Sequence, residues 1–131
     1  MSQFSIVGIV EDNPIDIFIN TKVIEQTNLC DALVTYSSAR EALASLANNQ
    51  ANQTPNPELI LLDIRMPDMD GFDFLDAFMK LPAAIQEQCK IIMLSSSIDD
   101  ADESKARSYP VVYDFVCKPL TREKIERFNL G

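Results

Sequence analysis

The chain predicts an α/β protein: a doubly wound sheet of five parallel strands, order 2-1-3-4-5, with helices on both faces. Three observations carry this. Short apolar runs alternate strictly with segments of helical spacing, five times over. One run, Leu59-Ile60-Leu61-Leu62, is aliphatic at four consecutive positions, the mark of a strand buried on both faces. Chemistry-bearing side chains stand just after four of the five runs, where open α/β sheets bind their ligands.

Phe4 to Val10 is rich in β-branched residues and reads as the first strand. Asn13-Pro14 then offers a capping side chain followed by a proline suited to a first helical turn. The helix is expected to run to about Thr27, with Ile17, Ile24, Phe18 and Thr21 on its apolar face. Ala32 to Tyr36 reads as the second strand. Ser38-Ala39-Arg40-Glu41 matches a capping box opening a helix that turns Ala42, Leu43 and Leu46 inward and fades near Asn48. Residues 49–57 are polar with two prolines and read as a long, mobile surface connection.

Leu59 to Asp63 is the third strand. Pro67 and Gly71 interrupt regular structure after it, so Asp63 faces a loop. Phe72, Leu75, Phe78 and Met79 predict one helix over Phe72 to Leu81. Ile91 to Leu94 is the fourth strand and ends on three serines. Asp99 to Ser108 is a charge-rich helix with few apolar anchors. Val111 to Cys117 is the fifth strand, followed by Lys118-Pro119. Thr121 can cap a last short helix through Phe128. The alternation accounts for residues 1–131 as a single domain, with no effector domain expected.

Net charge is −9, which disfavours nucleic acid and anionic membrane as partners. The chain is 47% hydrophobic and 24% charged, an ordinary soluble balance. No run approaches the roughly 20 apolar residues of a membrane span, and no signal peptide is visible, so a cytoplasmic location is expected. Three widely spaced cysteines and no histidine argue against a zinc site and against Ser-His-Asp or Cys-His catalysis.

In the order 2-1-3-4-5, strands one, three, four and five lie side by side. Their ends bring Glu11, Asp12, Asp63, Ser95 and Lys118 to one edge. Taken singly, each has a plainer reading: Asp63 and the Glu11-Asp12 pair as helix-capping acids, Ser95 as a loop serine, Lys118 as solvated charge. Together they make one site. Gathered carboxylates ionise together only around a cation, and Mg²⁺ is the hard ion that takes oxygen ligands and bridges to phosphate. A lysine, a hydroxyl and a strand-end aspartate complete a set for phosphoryl transfer onto that aspartate.

With these residues in place, the chain resembles the receiver domain of two-component response regulators from Ile6 to about Phe128. The resemblance rests on Ile9-Val10-Glu11-Asp12-Asn13, on Leu61-Leu62-Asp63-Ile64-Arg65-Met66-Pro67-Asp68-Met69-Asp70-Gly71, on Met93-Leu94-Ser95 and on Phe115-Val116-Cys117-Lys118-Pro119. It implies a flavodoxin-like fold with Asp63 as phospho-acceptor. It implies Mg²⁺ held by Asp12, Asp63 and the Arg65 backbone carbonyl, with Glu11 acting through water. It implies Lys118 on the phosphoryl group, Ser95 and Phe115 as switch residues, and a cis Lys118–Pro119 peptide. A histidine kinase or histidine phosphotransfer protein would be the donor, and a downstream protein the target. Such a module catalyses only its own phosphorylation and dephosphorylation.

Three rival readings fit these residues less well. An aspartate-dependent phosphatase of the haloacid dehalogenase type wants a second acid two residues after the nucleophile, and Arg65 stands there. A flavodoxin wants a phosphate-cradling loop after the first strand, where Glu11-Asp12-Asn13-Pro14 would repel phosphate. A degenerate receiver acting without phosphorylation would have lost site residues, and this set is complete. The expected output surface is the exposed part of Asp99 to Ser108 with Tyr109, Tyr113 and Arg122.

Overall fold

The five strands are Phe4–Val10 (β1), Cys30–Tyr36 (β2), Leu59–Asp63 (β3), Lys90–Ser95 (β4) and Val112–Cys117 (β5). In the computed structural model, which describes residues 2–97 and 99–131, they form one sheet of order β2-β1-β3-β4-β5. Every pairing is parallel. This is the flavodoxin-like arrangement expected. Central β3 is buried at all five residues, as its unbroken apolar run requires.

Side chains of successive strand residues point to opposite faces, and each face carries its own core. Ile60, Leu62, Val10 and Met93 pack with Leu46 of α2 (Ala39–Ala51) and with Phe74, Leu75 and Phe78 of α3 (Gly71–Phe78). Leu59, Leu61, Ile9 and Ile92 pack with Ile24 of α1 (Pro14–Thr27) and Ile125 of α6 (Arg122–Glu126). Helices thus cover both faces.

Local chemistry sets the helix starts. The Asn13 side chain accepts from the Ile15 and Asp16 amides, ahead of Pro14 in the first turn. Ser38 accepts from Glu41 N. The Glu41 carboxylate closes over Ser37, one residue earlier than a full capping box would place it. Asp70 and Asp73 form the reciprocal box at the head of α3.

The structure departs from expectation in five places, the first being α3, which ends at Phe78 rather than Leu81. A further helix, α4 (Ala83–Gln88), lies between α3 and β4. It buries only Ile85 and has no side-chain cap, so it left no periodic signal. α2 continues to Ala51, and the connection after it is tied down rather than loose. Buried Asn56 donates to the Leu46 carbonyl at 3.1 Å and accepts from Asn49 at 2.9 Å. α6 spans five residues, ending short of Phe128. Finally, α1 faces differently: Phe18 is exposed, while Asn20 is buried with Ile24. The next helix, α5 (Asp100–Arg107), is capped by Asp99 and buries only Ala106, as its sparse anchors predict.

Candidate functional site

Register builds the site. Val10 pairs with Leu62 across β1 and β3, so Glu11 emerges beside Asp63. Asp63 pairs with Leu94, and Ser95 with Cys117. Lys118 then donates its backbone N–H to the Ser95 carbonyl at 2.7 Å. The adjacent strands β1, β3, β4 and β5 therefore end together, and Glu11, Asp63 and Lys118 share one crevice.

Glu11, Asp12 and Asp63 each bring a carboxylate oxygen within 4.8 Å of the others. Asp12 is exposed, while Glu11 and Asp63 are buried. Lys118 Nζ stands between the buried pair, 2.6 Å from Glu11 Oε1 and 2.9 Å from Asp63 Oδ1. Burial pushes the Glu11 carboxyl up to about 7 against the pull of Lys118, with the Asp63 charge adding to the rise. Burial likewise raises Asp63, again opposed by the lysine. Burial alone would lower the Lys118 ammonium. Its contacts with Glu11, Asp16 and Asp63 outweigh this and hold it above the usual lysine value. The site is thus an anionic pocket with a fixed cation, and an added positive ion would relieve it further. Three carboxylates form a hard oxygen donor set, which suits Mg²⁺.

The loop after β3 is shaped to present Asp63. Asp68 takes a positive φ of 69°, and Gly71 N donates to the Ile64 carbonyl at 2.9 Å. A Cβ on Gly71 would meet the Asp63 carbonyl oxygen at 2.7 Å and Ile64 Cα at 3.0 Å. Only glycine permits this approach of α3 to β3. On the other side, Lys124 Nζ donates to the carbonyls of Cys117, at 2.6 Å, and Pro119, at 2.9 Å, bracketing the Lys118–Pro119 turn. That peptide is cis.

Not every expected residue faces the crevice. Ser95 is buried, and its hydroxyl donates to the Ser97 carbonyl at 2.7 Å. It is Ser96 that lines the crevice with Glu11, Asp12, Asn13, Asp16, Asp63, Arg65 and Lys118. Phe115 is half-buried against the α2–α3 core. Tyr109 binds Asp76 through its hydroxyl at 2.7 Å. Arg122 lies apart from α5, donating to the Gln26 carbonyl at the end of α1, so the expected output surface is not one patch.

Sequence reading missed three features. Asp16 contacts Lys118 at 2.9 Å; it is the acid in the first turn of α1, where the helix N-terminus favours negative charge. Asn20 is buried, and its Nδ2 is the one buried side-chain N or O without a hydrogen-bond partner among the described residues. It lines a groove with Asp16, Ile19, Ser96, Lys118 and Pro119. Ile15, Phe18 and Ile19 form an exposed apolar stripe on α1, at spacings of three and four.

Fold and site together define a flavodoxin-like α/β protein with an acidic, lysine-bearing crevice at the strand ends. The model of the response regulator receiver domain matches residues 7–128, and the chain belongs to that family. Among curated relatives, the transcriptional regulatory protein HptR of Staphylococcus aureus is 34% identical over 92 residues, 70% of this chain and 32% of its own length. The chain spans a third or less of the curated relatives it matches first. Among solved structures, a two-component response regulator from Cytophaga hutchinsonii superposes with a TM-score of 0.87 at 28% identity, covering 95% of this chain and 92% of that one. A response regulator receiver protein from Dyadobacter fermentans gives 0.80 at 30% identity, covering 94% and 96%. Among the described residues, no helix is long and apolar enough to cross a membrane.

Proposed function

We propose that this chain is a cytoplasmic signalling module that accepts a phosphoryl group on Asp63 from the phosphohistidine of a histidine kinase or phosphotransfer protein. The observation that carries this reading is the contact of one lysine with Glu11 and the candidate acceptor Asp63, inside a three-carboxylate cluster. An Asp63 oxygen attacks phosphorus, the bond from phosphorus to the donor imidazole nitrogen breaks, and its electron pair stays with that nitrogen. Lys118 neutralises charge on the equatorial oxygens. Asp12, Asp63 and the Arg65 carbonyl would hold Mg²⁺, with Glu11 acting through water. The ion supplies further charge neutralisation when bound.

After transfer, the Ser95 hydroxyl leaves the Ser97 carbonyl for the new phosphoryl oxygens, and Phe115 turns further into the core. The signal leaves by protein contact with a downstream target. The module turns over no outside substrate.

The donor protein docks on α1. Ile15, Phe18 and Ile19 form an exposed apolar stripe, and Ile19 shares a groove wall with Lys118. A surface of this kind beside the acceptor suits an apolar helix face carrying the donor histidine.

Asp63→Asn tests the central reading. Labelling by a small phosphodonor such as acetyl phosphate in Mg²⁺ should vanish in the variant and persist in the wild type. Equal labelling of both proteins would show that the acceptor lies elsewhere.

A further inference from the structure

Arg65 pairs with Asp102 across 37 residues of sequence, Nη2 to Oδ2 at 2.6 Å. This contact joins the loop that follows the acceptor strand to the first turn of α5. The two ends differ. The Arg65 side chain is 62% exposed, whereas that of Asp102 is 16% exposed. Arg65 also lines the crevice that holds Asp63. Its guanidinium is thus anchored to α5 by one bond, on a residue that lines the site.

We infer that Arg65 is a second cationic ligand for the phosphoryl group, kept in reserve by Asp102, and that its transfer to that group releases α5. The inference rests on the phospho-acceptor reading of Asp63. Before phosphorylation, Lys118 is occupied by Glu11, Asp16 and Asp63, and Arg65 is occupied by Asp102. Phosphorylation adds about two negative charges at Asp63. A guanidinium offers a planar fork that matches phosphoryl oxygens with two bonds, and such charge-assisted pairs are the strong ones. A half-exposed single carboxylate contact contributes little by comparison. Exchange of Arg65 from Asp102 to the phosphoryl group is therefore downhill.

The exchange reaches α5 because little of α5 is buried. Ala106 is its only buried residue. Beyond the Asp102 contact, its ties to the rest of the chain include the Arg107–Asp114 pair at 3.7 Å and the Lys105 ammonium 4.5 Å from the Phe72 ring centre. Losing Arg65 removes the tie between α5 and the acceptor loop. Chemistry at Asp63 is then read out at the surface of α5 without movement of the sheet.

Beryllofluoride, bound in Mg²⁺ and followed by amide chemical shifts, tests this without any phosphodonor. Asp102→Asn frees the arginine and should tighten beryllofluoride binding about two- to fivefold, the range set by the loss of an exposed ion pair. Arg65→Gln should weaken binding about tenfold, as expected for one lost charged hydrogen bond, and Arg65→Lys should fall between. In the Arg65→Gln background, Asp102→Asn should have no effect, because Asp102 acts only through Arg65. Asp102→Asn alone should also shift α5 amides toward their beryllofluoride-bound positions. Unchanged affinity in Asp102→Asn, or a gain that survives in the double variant, overturns the inference. If the wild type itself fails to bind beryllofluoride, it is the phospho-acceptor reading that falls.

Discussion

Lys118 Nζ stands 2.9 Å from Asp63 Oδ1, on a side chain only 12% exposed. It also meets Glu11, whose side chain is 2% exposed. Removing the cation leaves two buried carboxylates facing each other. Lys118→Ala should therefore destabilise the metal-free fold by about 3 kcal/mol, the lower end of the range for a broken buried pair. The lower end applies because Glu11, raised to about 7, can take a proton to relieve the repulsion. Urea denaturation at neutral pH measures the loss. An unchanged midpoint would mean the lysine is dispensable to the apo site.

Gly71→Ala should strain β3 directly. The added methyl lies against the Asp63 carbonyl oxygen, Ile64 Cα and the Met93 methyl, all within 3.0 Å. Two of these are backbone atoms and cannot rotate away. Overpacking of this sort costs about 1–3 kcal/mol. The melting temperature should fall, and amide shifts of Asp63 and Ile64 should move furthest. A neutral result would require α3 to slide away from β3.

The strand-end site was legible because a parallel sheet converts sequence into place. Each aliphatic run ends at the same edge, so Glu11, Asp63 and Lys118 could be brought together from the strand order alone. What the sequence concealed lies where periodicity is ambiguous. Helix α1 carries apolar residues on two sides, Val23 and Ile24 facing in and Ile15, Phe18 and Ile19 facing out. Spacing cannot tell which stripe packs, and a polar Asn20 on the packed side masks it. Helix α4 was hidden for a different reason: one buried isoleucine and an uncapped start give no period to detect. The Arg65–Asp102 and Tyr109–Asp76 contacts join distant segments, and no local pattern encodes them.

Asn20→Leu should stabilise the protein. The asparagine amide is buried, and its Nδ2 has no partner. Such a donor carries a desolvation penalty of about 1–3 kcal/mol, and leucine matches its size while packing toward the neighbouring Ile24 side of the core. A gain of about 1 kcal/mol in unfolding free energy is expected. A loss on this substitution would mean the amide is satisfied in solution by an ordered water, whose removal then dominates.

Phe18 is 63% exposed and Ile15 69%, on the helix that also carries the Lys118 partner Asp16 and the groove residue Ile19. Neither side chain supports the core, so Ile15→Asp and Phe18→Asp should leave the melting temperature nearly unchanged. Both should impair transfer from a protein donor, since an apolar anchor at an interface commonly contributes 2 kcal/mol or more, about thirtyfold in affinity. Added negative charge strengthens the effect on an apolar partner face by leaving a carboxylate desolvated. Labelling by acetyl phosphate needs no docking surface and should proceed at the wild-type rate. The comparison of the two donors separates docking from chemistry. Loss of both activities would place Ile15 and Phe18 in the acceptor site, and loss of neither would move the donor surface off α1.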